Sequence, residues 1–512
     1  MPLWPMRRSA PGPPQPPPAK RARHAAPQAN KTLAKPQGRK PAAAPRKPSR
    51  SRPPGCEPLA EPQGRKLDVP LRAAAAAKMW AKEALNLCRG QASKHSLPPP
   101  SLDKRWRVGT DCSGLEAPVH ALRAMGFRVE HTFSSESVAF KRDFIRLNSP
   151  GVPLCEDILK RDHGDLPQCD LYVCGFPCKP WSSLHSRTKL FKEPGAKVFF
   201  EAVRAIRVAL PPAAVLENVQ GIRKVLPRIL QALKKLGYAI VVLDIDPRDA
   251  GEPVSRPRVY FVLVRRDLLA VTDAGEIAAI ARGVLGESRT AAPLGDRLLP
   301  EGCGLLSRFA APAGPRSKAA APAGPRSKAG TAWRQQLCSL PRSPLGPRIA
   351  GVGERSACML EVMTAKAGLQ RLPADKNIDV SQSLGRCRFT AYVPTITPSA
   401  KIVLGCRRRL LSPIEMLLLN GIPVDELVWP SSFESRHFAD MAGNTMHCAA
   451  APSLAGHPAA RPSILADRPI IRAARPIIRE TRSSLAKYFA VRLRVCALCS
   501  LRLGRPCCSP CC

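Results

Sequence analysis

Between residues 105 and 266 the chain alternates short apolar runs with amphipathic segments, and this alternation restricts its fold more than any other feature. "WRVGTDCSG", "RVEHTFSSE", "CDLYVCGFP", "AAVLENV", "AIVVLDID" and "RVYFVLVRR" read as strands. "PVHALRAMGF" reads as a helix, with Pro118 suited to its first turn and Gly126 to its end. "KVFFEAVRAIRVALPP" has helical apolar spacing and stops at Pro211, and "VLPRILQALKKLGY" is an amphipathic helix closed by Gly237. Strands alternating with helices predict an α/β fold with a parallel, doubly wound sheet. Ligands of such sheets bind beyond the carboxyl ends of the strands.

That rule selects residues. Ser113-Gly114, Glu136, Pro177-Cys178 and Glu217-Asn218 all fall at or just past predicted strand ends. Pro177 fixes its own φ and biases Phe176 toward an extended backbone, so "GFPCKPWS" reads as a stiff loop presenting a thiol. A reactive thiol needs such an edge position, whereas a packing cysteine sits inside an element.

These residues resemble the cytosine-C5 DNA methyltransferase family. "GFPCKPWS" resembles its Pro-Cys nucleophile loop, and "ENV" at 217–219 its Glu-Asn-Val motif. "PVSRPRVYFV" at 253–262 resembles Gln-x-Arg-x-Arg, with Arg256 and Arg258 in the arginine places. "RRLLSPIEMLLLNGIP" at 408–423 and "AGNTM" at 442–446 resemble two motifs near the end of the family core. Order and spacing agree across roughly residues 105 to 447.

The resemblance implies a Rossmann-like methyltransferase sheet with a smaller target-recognition region. It also implies methyl transfer from S-adenosylmethionine to carbon 5 of cytosine in DNA. Cys178 would attack carbon 6 of a flipped-out base, and Glu217 would hold a proton at nitrogen 3. Arg256 and Arg258 would bind the base's carbonyl and a nearby phosphate. On the cofactor side, Asp111, Cys112, Ser113, Gly114 and Leu115 would run along the methionine part. Glu136 would take the ribose hydroxyls, and Asp157 with Ile158 the adenine. Pro177, Asn444 and Thr445 would complete the pocket. No metal is implied.

The chain departs from the family pattern in places. The usual Asp-x-Phe-x-Gly-x-Gly reads "TDCSGLEAP": Asp111 is shifted by one, Cys112 takes the phenylalanine place and Glu116 replaces a glycine. A glutamate there is expected either to crowd the cofactor or to contact its amino group. Lys179 and Val254 stand where the family has glutamine. Two other readings follow: the same chemistry on RNA, and a basic chromatin-binding protein on a catalytically weakened methyltransferase fold.

Charge and composition describe the flanks. The 512 residues carry 56 prolines and a formal net charge of +41, which attracts polyanions such as nucleic acid. Residues 1–100 are expected to be a disordered basic arm, too rich in Pro, Ala, Lys and Arg to bury a core. "PQGRK" occurs there twice, and "KRAR" at 20–23 fits nuclear import or nucleic-acid contact, with an organelle as the alternative address. The catalytic domain is expected over 105–266, target recognition over 267–400 and a return to the core over 401–450, "VPTITPSAK" leading in. A tandem "AAPAGPRSKA" marks an insertion at 310–329. Residues 451–512 are expected to be a disordered basic tail. Its C-x-x-C pairs, Cys496/Cys499 and Cys508/Cys511, are read as an unstructured terminus rather than a zinc site. The 19 cysteines read as reduced intracellular thiols, and no apolar run is long enough for a membrane span.

Overall fold

The structure, a computed structural model, describes residues 62–182, 190–269, 274–286, 293–310, 349, 351–352, 354–383 and 385–450. The basic cluster at 20–23, nearly all of the tandem repeat and the cysteine-rich tail lie outside the described residues.

The alternating segments form one seven-stranded sheet. Its strands are β2 (Arg105–Asp111), β3 (Arg128–Ser135), β4 (Leu154–Cys155), β5 (Leu171–Cys174), β6 (Ala213–Val219), β7 (Tyr238–Ile245) and β8 (Arg258–Arg265). They run in the order β4-β3-β2-β5-β6-β8-β7. The sheet is mixed rather than wholly parallel, because β8 runs antiparallel to both β6 and β7. The reason lies in the connection. A parallel return needs a crossover, usually helical, and between β7 and β8 the chain makes only a 3-10 turn at Pro247–Ala250.

Side chains of successive strand residues face opposite ways and feed two cores. Leu171, Val173, Val215, Tyr260 and Val262 pack into the larger core, with α2 (Ala117–Ala124) and α3 (Ala139–Asn148). Tyr172, Cys174, Leu216, Phe261 and Leu263 pack into the other, with α4 (Lys197–Ala209) and α5 (Leu226–Lys234). Pro118 sits in the first turn of α2, and Gly126 follows that helix at φ 91°.

Two expected boundaries move. The arm expected to be disordered over 1–100 contains α1 (Leu71–Lys94), and Gly64–Arg65 (β1) pairs with Trp429–Pro430. The helix "LRAAAAAKMWAKEALNLCRGQASK" presents Ala73, Ala77, Ala81 and Ala84 at helical spacing, with Trp80, Leu85 and Cys88, all buried in the larger core. Small alanine faces bury little area each but allow close packing, which composition alone does not reveal. The second shift is at residue 267. Leu268, Leu298, Leu299 and Phe309, with Ile277, Ile280 and Val284 of α6 (Ala274–Gly286), belong to the larger core rather than to a separate recognition unit.

A smaller unit does exist. Helix Glu354–Lys366 and an antiparallel sheet of β9 (Asn377–Asp379), β10 (Ile402–Leu404) and β11 (Arg409–Leu410) enclose Met359, Ile378, Val380, Cys387, Val403 and Leu410. Strand β10 serves both units: Val403 faces the small cluster, while Ile402 and Leu404 face the larger core. Val393 bridges Val254, so the segment at 393–401 joins the catalytic sheet's loops. Among the described residues no helix is long and apolar enough to cross a membrane.

The role of α1 is testable. Trp80→Ala is expected to destabilise the chain by about 3–5 kcal/mol in a denaturant titration, the cost of emptying a buried aromatic site.

Candidate active site

Chain order reverses between β2 and β5, whose end residues Asp111 and Cys174 are paired. A crevice forms beyond such a switch point. Here it is a cavity of about 500 Å³, lined in part by Cys112, Glu136, Asp157, Pro177, Cys178 and Glu217.

The thiol loop is held from several sides. Strand β5 is followed by Gly175, where a Cβ would stand 2.9 Å from Met446 Cε and 3.6 Å from Glu217 Oε2, filling the cleft. Phe176 is buried against Phe199, ring centroids 5.3 Å apart. Its carbonyl accepts a hydrogen bond from Asn218 Nδ2 at 2.9 Å. Asn218 thus pins the loop that carries Cys178, a role sequence reasoning did not assign. After Cys178 the chain makes one tight turn, Trp181 and Ser182 N–H donating to its carbonyl at 2.9 and 3.0 Å. Cys178 itself is exposed at the cleft mouth.

Arg258 and Glu217 form an ion pair, Nε to Oε1 at 3.0 Å, the two side chains 13% and 12% exposed. They meet diagonally across the antiparallel strands β6 and β8, where Glu217 pairs with Tyr260 and Arg258 with Val219. The pair leaves Oε2 facing the gap beside Gly175. Burial pushes the Glu217 pKa up, against the pull of Arg258 and Arg256. The Cys178 thiol is also raised: the cleft walls desolvate it, and Arg258 only partly offsets this.

Arg256 is placed differently from expectation. Its guanidinium lies inside the protein and donates to the carbonyls of Ile396 at 2.8 Å, Gly443 at 3.1 Å and Thr445 at 2.5 Å. Burial lowers its pKa to about 9. It touches the cavity wall, but its two terminal nitrogens clamp "AGNTM" and the 393–401 segment to the sheet, while Nε has no hydrogen-bond partner. The reason is position: Arg256 precedes β8, in the loop that meets both segments, while Arg258 starts the strand.

On the other half of the cavity, Cys112, Glu136, Asp157, Ile158, Pro177 and Asn444 line the wall; Asp111, Ser113, Gly114, Leu115 and Thr445 do not. Asp111 is fully buried and occupied by other partners: a bidentate Arg161 at 2.7 and 2.6 Å, Tyr172 Oη at 2.7 Å and Ser135 Oγ at 2.7 Å. Leu115 is a core residue, and Ser113 Oγ donates to Glu116. Thr445 is buried, offering its carbonyl to Arg256.

Glu116 neither crowds the cavity nor reaches into it. It takes φ 58°, the left-handed conformation a glycine adopts freely, and turns inward to accept from Ser113 Oγ at 2.7 Å and Ser134 Oγ at 2.5 Å. Those bonds offset a backbone cost of about 1–2 kcal/mol. Glu136 is buried, which raises its pKa against the pull of Lys141, and its Oε1 accepts from Val138 N–H at 2.9 Å. Asp157 accepts from Leu159 N–H at 3.0 Å where a turn begins. Lys141, buried in the wall, was missed altogether; nothing in its spacing from Glu136 marks it.

The fold and site together define a doubly wound α/β domain with a cysteine at its cleft mouth. Comparison with known proteins agrees: residues 112–282 match the family described as C-5 cytosine-specific DNA methylase. The type II methyltransferase M.NlaX of Neisseria lactamica is 32% identical over 139 residues, 26% of this chain and 44% of that protein. M1.ScrFI of Lactococcus lactis subsp. cremoris is 33% identical over 140 residues, 26% of this chain and 36% of its own length. The chain thus spans less than half the length of these relatives. A solved structure of S. pombe Dnmt2 methyltransferase aligns with 69% of this chain and 98% of its own, at 14% identity and TM-score 0.43. The segment 112–282 is of the C-5 cytosine-specific DNA methylase family, homologous to type II methyltransferases.

Two outcomes follow from the geometry. In the free protein, alkylation of the Cys178 peptide by iodoacetamide, read by mass spectrometry, should still be rising above pH 9, and Arg258→Met should slow it at pH 8 because the arginine pulls the thiol pKa down. Arg256→Met is expected to lower stability by roughly 2–4 kcal/mol, as buried carbonyls lose their donors. A guanidinium serving only a substrate would leave the unfolding curve in place.

Proposed function

We propose that this chain transfers a methyl group from S-adenosylmethionine to carbon 5 of cytosine in DNA. The observation that carries this reading is the Arg258–Glu217 pair, which holds Glu217 with Oε2 toward the gap beside Gly175 in the cleft that Cys178 also lines.

The Cys178 thiolate adds to carbon 6 of a cytosine swung out of its helix. The electron pair of the broken 5,6 double bond moves into the ring, and Glu217 supplies a proton at nitrogen 3. A raised carboxyl pKa keeps that proton available nearer neutrality than an exposed glutamate could. Arg258 fixes the carboxyl's orientation through Oε1 and favours the thiolate. Once carbon 5 carries the methyl group, its proton passes to solvent water, the freed electron pair re-forms the 5,6 double bond as the thiolate leaves, and nitrogen 3 returns its proton to Glu217.

The cofactor fits the residues present. Glu136 and Asp157 bring carboxylate acceptors for hydroxyl and amino groups, and Ile158, Phe176 and Val198 give apolar walls for a flat ring. When bound, S-adenosylmethionine supplies the electrophilic methyl group. Asn444 reaches the wall from helix Ser435–Asn444, which Arg256 holds in place through Gly443 and Thr445.

DNA is the polymer this reading favours, on the family of segment 112–282; the net positive charge adds sequence-independent affinity. "KRAR" at 20–23 supports a nuclear site of action. Glu116, turned into the core rather than into the cavity, weighs against a decayed fold that only binds chromatin.

The test is incubation with methyl-labelled S-adenosylmethionine and either DNA or RNA. Label is expected on DNA, none with Cys178→Ser, and a loss of roughly 10²–10⁴-fold in rate with Glu217→Gln. Label on RNA alone would overturn the choice of polymer, and label on neither would leave the binding protein.

A further inference from the structure

We infer that Lys141 is a cofactor-discriminating residue, its ammonium taking the carboxylate of an adenosyl amino acid. This deepens the function proposed above and rests on it.

Lys141 lies on α3 and is only 6% exposed, yet it faces the cavity. A buried cation needs a counter-charge. One partner is Asp440, at 2.8 Å from Nζ. An ammonium has three donors, and Asp440 takes one of them. The amine also stands near Glu136, whose charge it offsets.

The convergence is at Gly114, which adopts φ 59°. A Cβ there would stand 3.5 Å from Lys141 Cδ, 4.0 Å from its Nζ and 3.7 Å from Glu136 Oε2. A donor and an acceptor of opposite charge, both lining the cavity, therefore stand together beside the loop at Gly114, which itself lies outside the lining. Glu136 commits Oε1 to the Val138 N–H, leaving Oε2 on the side of Gly114. The ligand chemistry matching a cation beside an anion is a group carrying both charges, or a carboxylate next to a hydroxyl. The α-amino acid end of an adenosyl amino acid, with its ribose alongside, has that pattern; a plain nucleoside has no anion for Lys141.

The ion pair also reaches outward. Asp440 Oδ1 accepts from Asn444 Nδ2 at 2.9 Å, and Asn444 lines the same cavity. A carboxylate on Lys141 is thus linked through Asp440 to the helix that closes the pocket. A purely structural Lys141 would only tie α3 to that helix, and would not care which ligand occupies the cavity.

Two ligands separate these roles. S-adenosylhomocysteine keeps the amino acid end, and 5′-methylthioadenosine lacks it while sharing adenine, ribose and thioether sulphur. Calorimetric titration of the full chain is expected to give tighter binding of S-adenosylhomocysteine. Lys141→Met should weaken that ligand about ten- to a hundredfold and change 5′-methylthioadenosine by less than about twofold, the loss of one charge-assisted contact. Lys141→Arg should recover part of the difference, and Lys141→Gln serves in place of Lys141→Met if that variant does not fold. Equal loss for both ligands, or no loss for either, would overturn the assignment. If the unaltered chain bound neither ligand, the cofactor reading of the cavity would fail first and take this inference with it.

Discussion

The buried carboxylate of Asp111 is the point on which the geometry of the cleft depends. It ends β2 at the switch point and is bound by Arg161, by Tyr172 of β5 and by Ser135 of β3. Three adjacent strands are therefore tied together by one group, β2 and β3 at their last residues and β5 at its second. Such a charge is tolerable in the interior only because its lone pairs are occupied and its counter-charge is bidentate. The backbone extends the arrangement, since Gly175 N–H donates to the Asp111 carbonyl at 3.3 Å. The cavity wall at Cys112 and the thiol loop after Gly175 begin on either side of this junction.

The sequence made this junction legible in outline and mislabelled its centre. Alternation and strand-end residues located β2, β5, β6 and the loop of Cys178, because a buried strand has little freedom in composition. Side-chain direction is harder to read than position. Asp111 and Cys112 are neighbours, yet one faces inward and the other the cavity, and the left-handed backbone at Cys112, φ 54°, follows no apolar pattern. Arg256 and Arg258 illustrate the same limit. Two residues apart, they diverge because only the second belongs to a strand.

The parts that stayed hidden share a physical cause. Helix α1 sits within an Ala-rich stretch that adjoins a proline- and lysine-rich arm, so average composition masks its apolar face. The parallel expectation for β8 failed because strand direction is set by the connection at 246–257, whose short turn carries no strong signal. Lys141 and Asn218 gained their roles from contacts with distant residues, Asp440 and Phe176. No local pattern encodes such pairings.

The chemistry proposed for this chain would ask opposite things of two groups in one cleft. Glu217 would have to keep a proton and Cys178 to lose one, yet burial raises both pKa values and the arginines lower both. Desolvation thus serves the carboxyl, and positive charge serves the thiol. The arrangement resolves this by distance and exposure. Glu217 lies deeper, with its side chain largely out of water, while Cys178 stands at the mouth. Arg258 bonds Glu217 through one oxygen only, so its charge acts on the thiol without neutralising the second carboxyl oxygen. A base entering the cleft would displace water from both groups. The guanidinium of Arg258, with that of Arg256 behind it, then becomes the influence still favouring a thiolate.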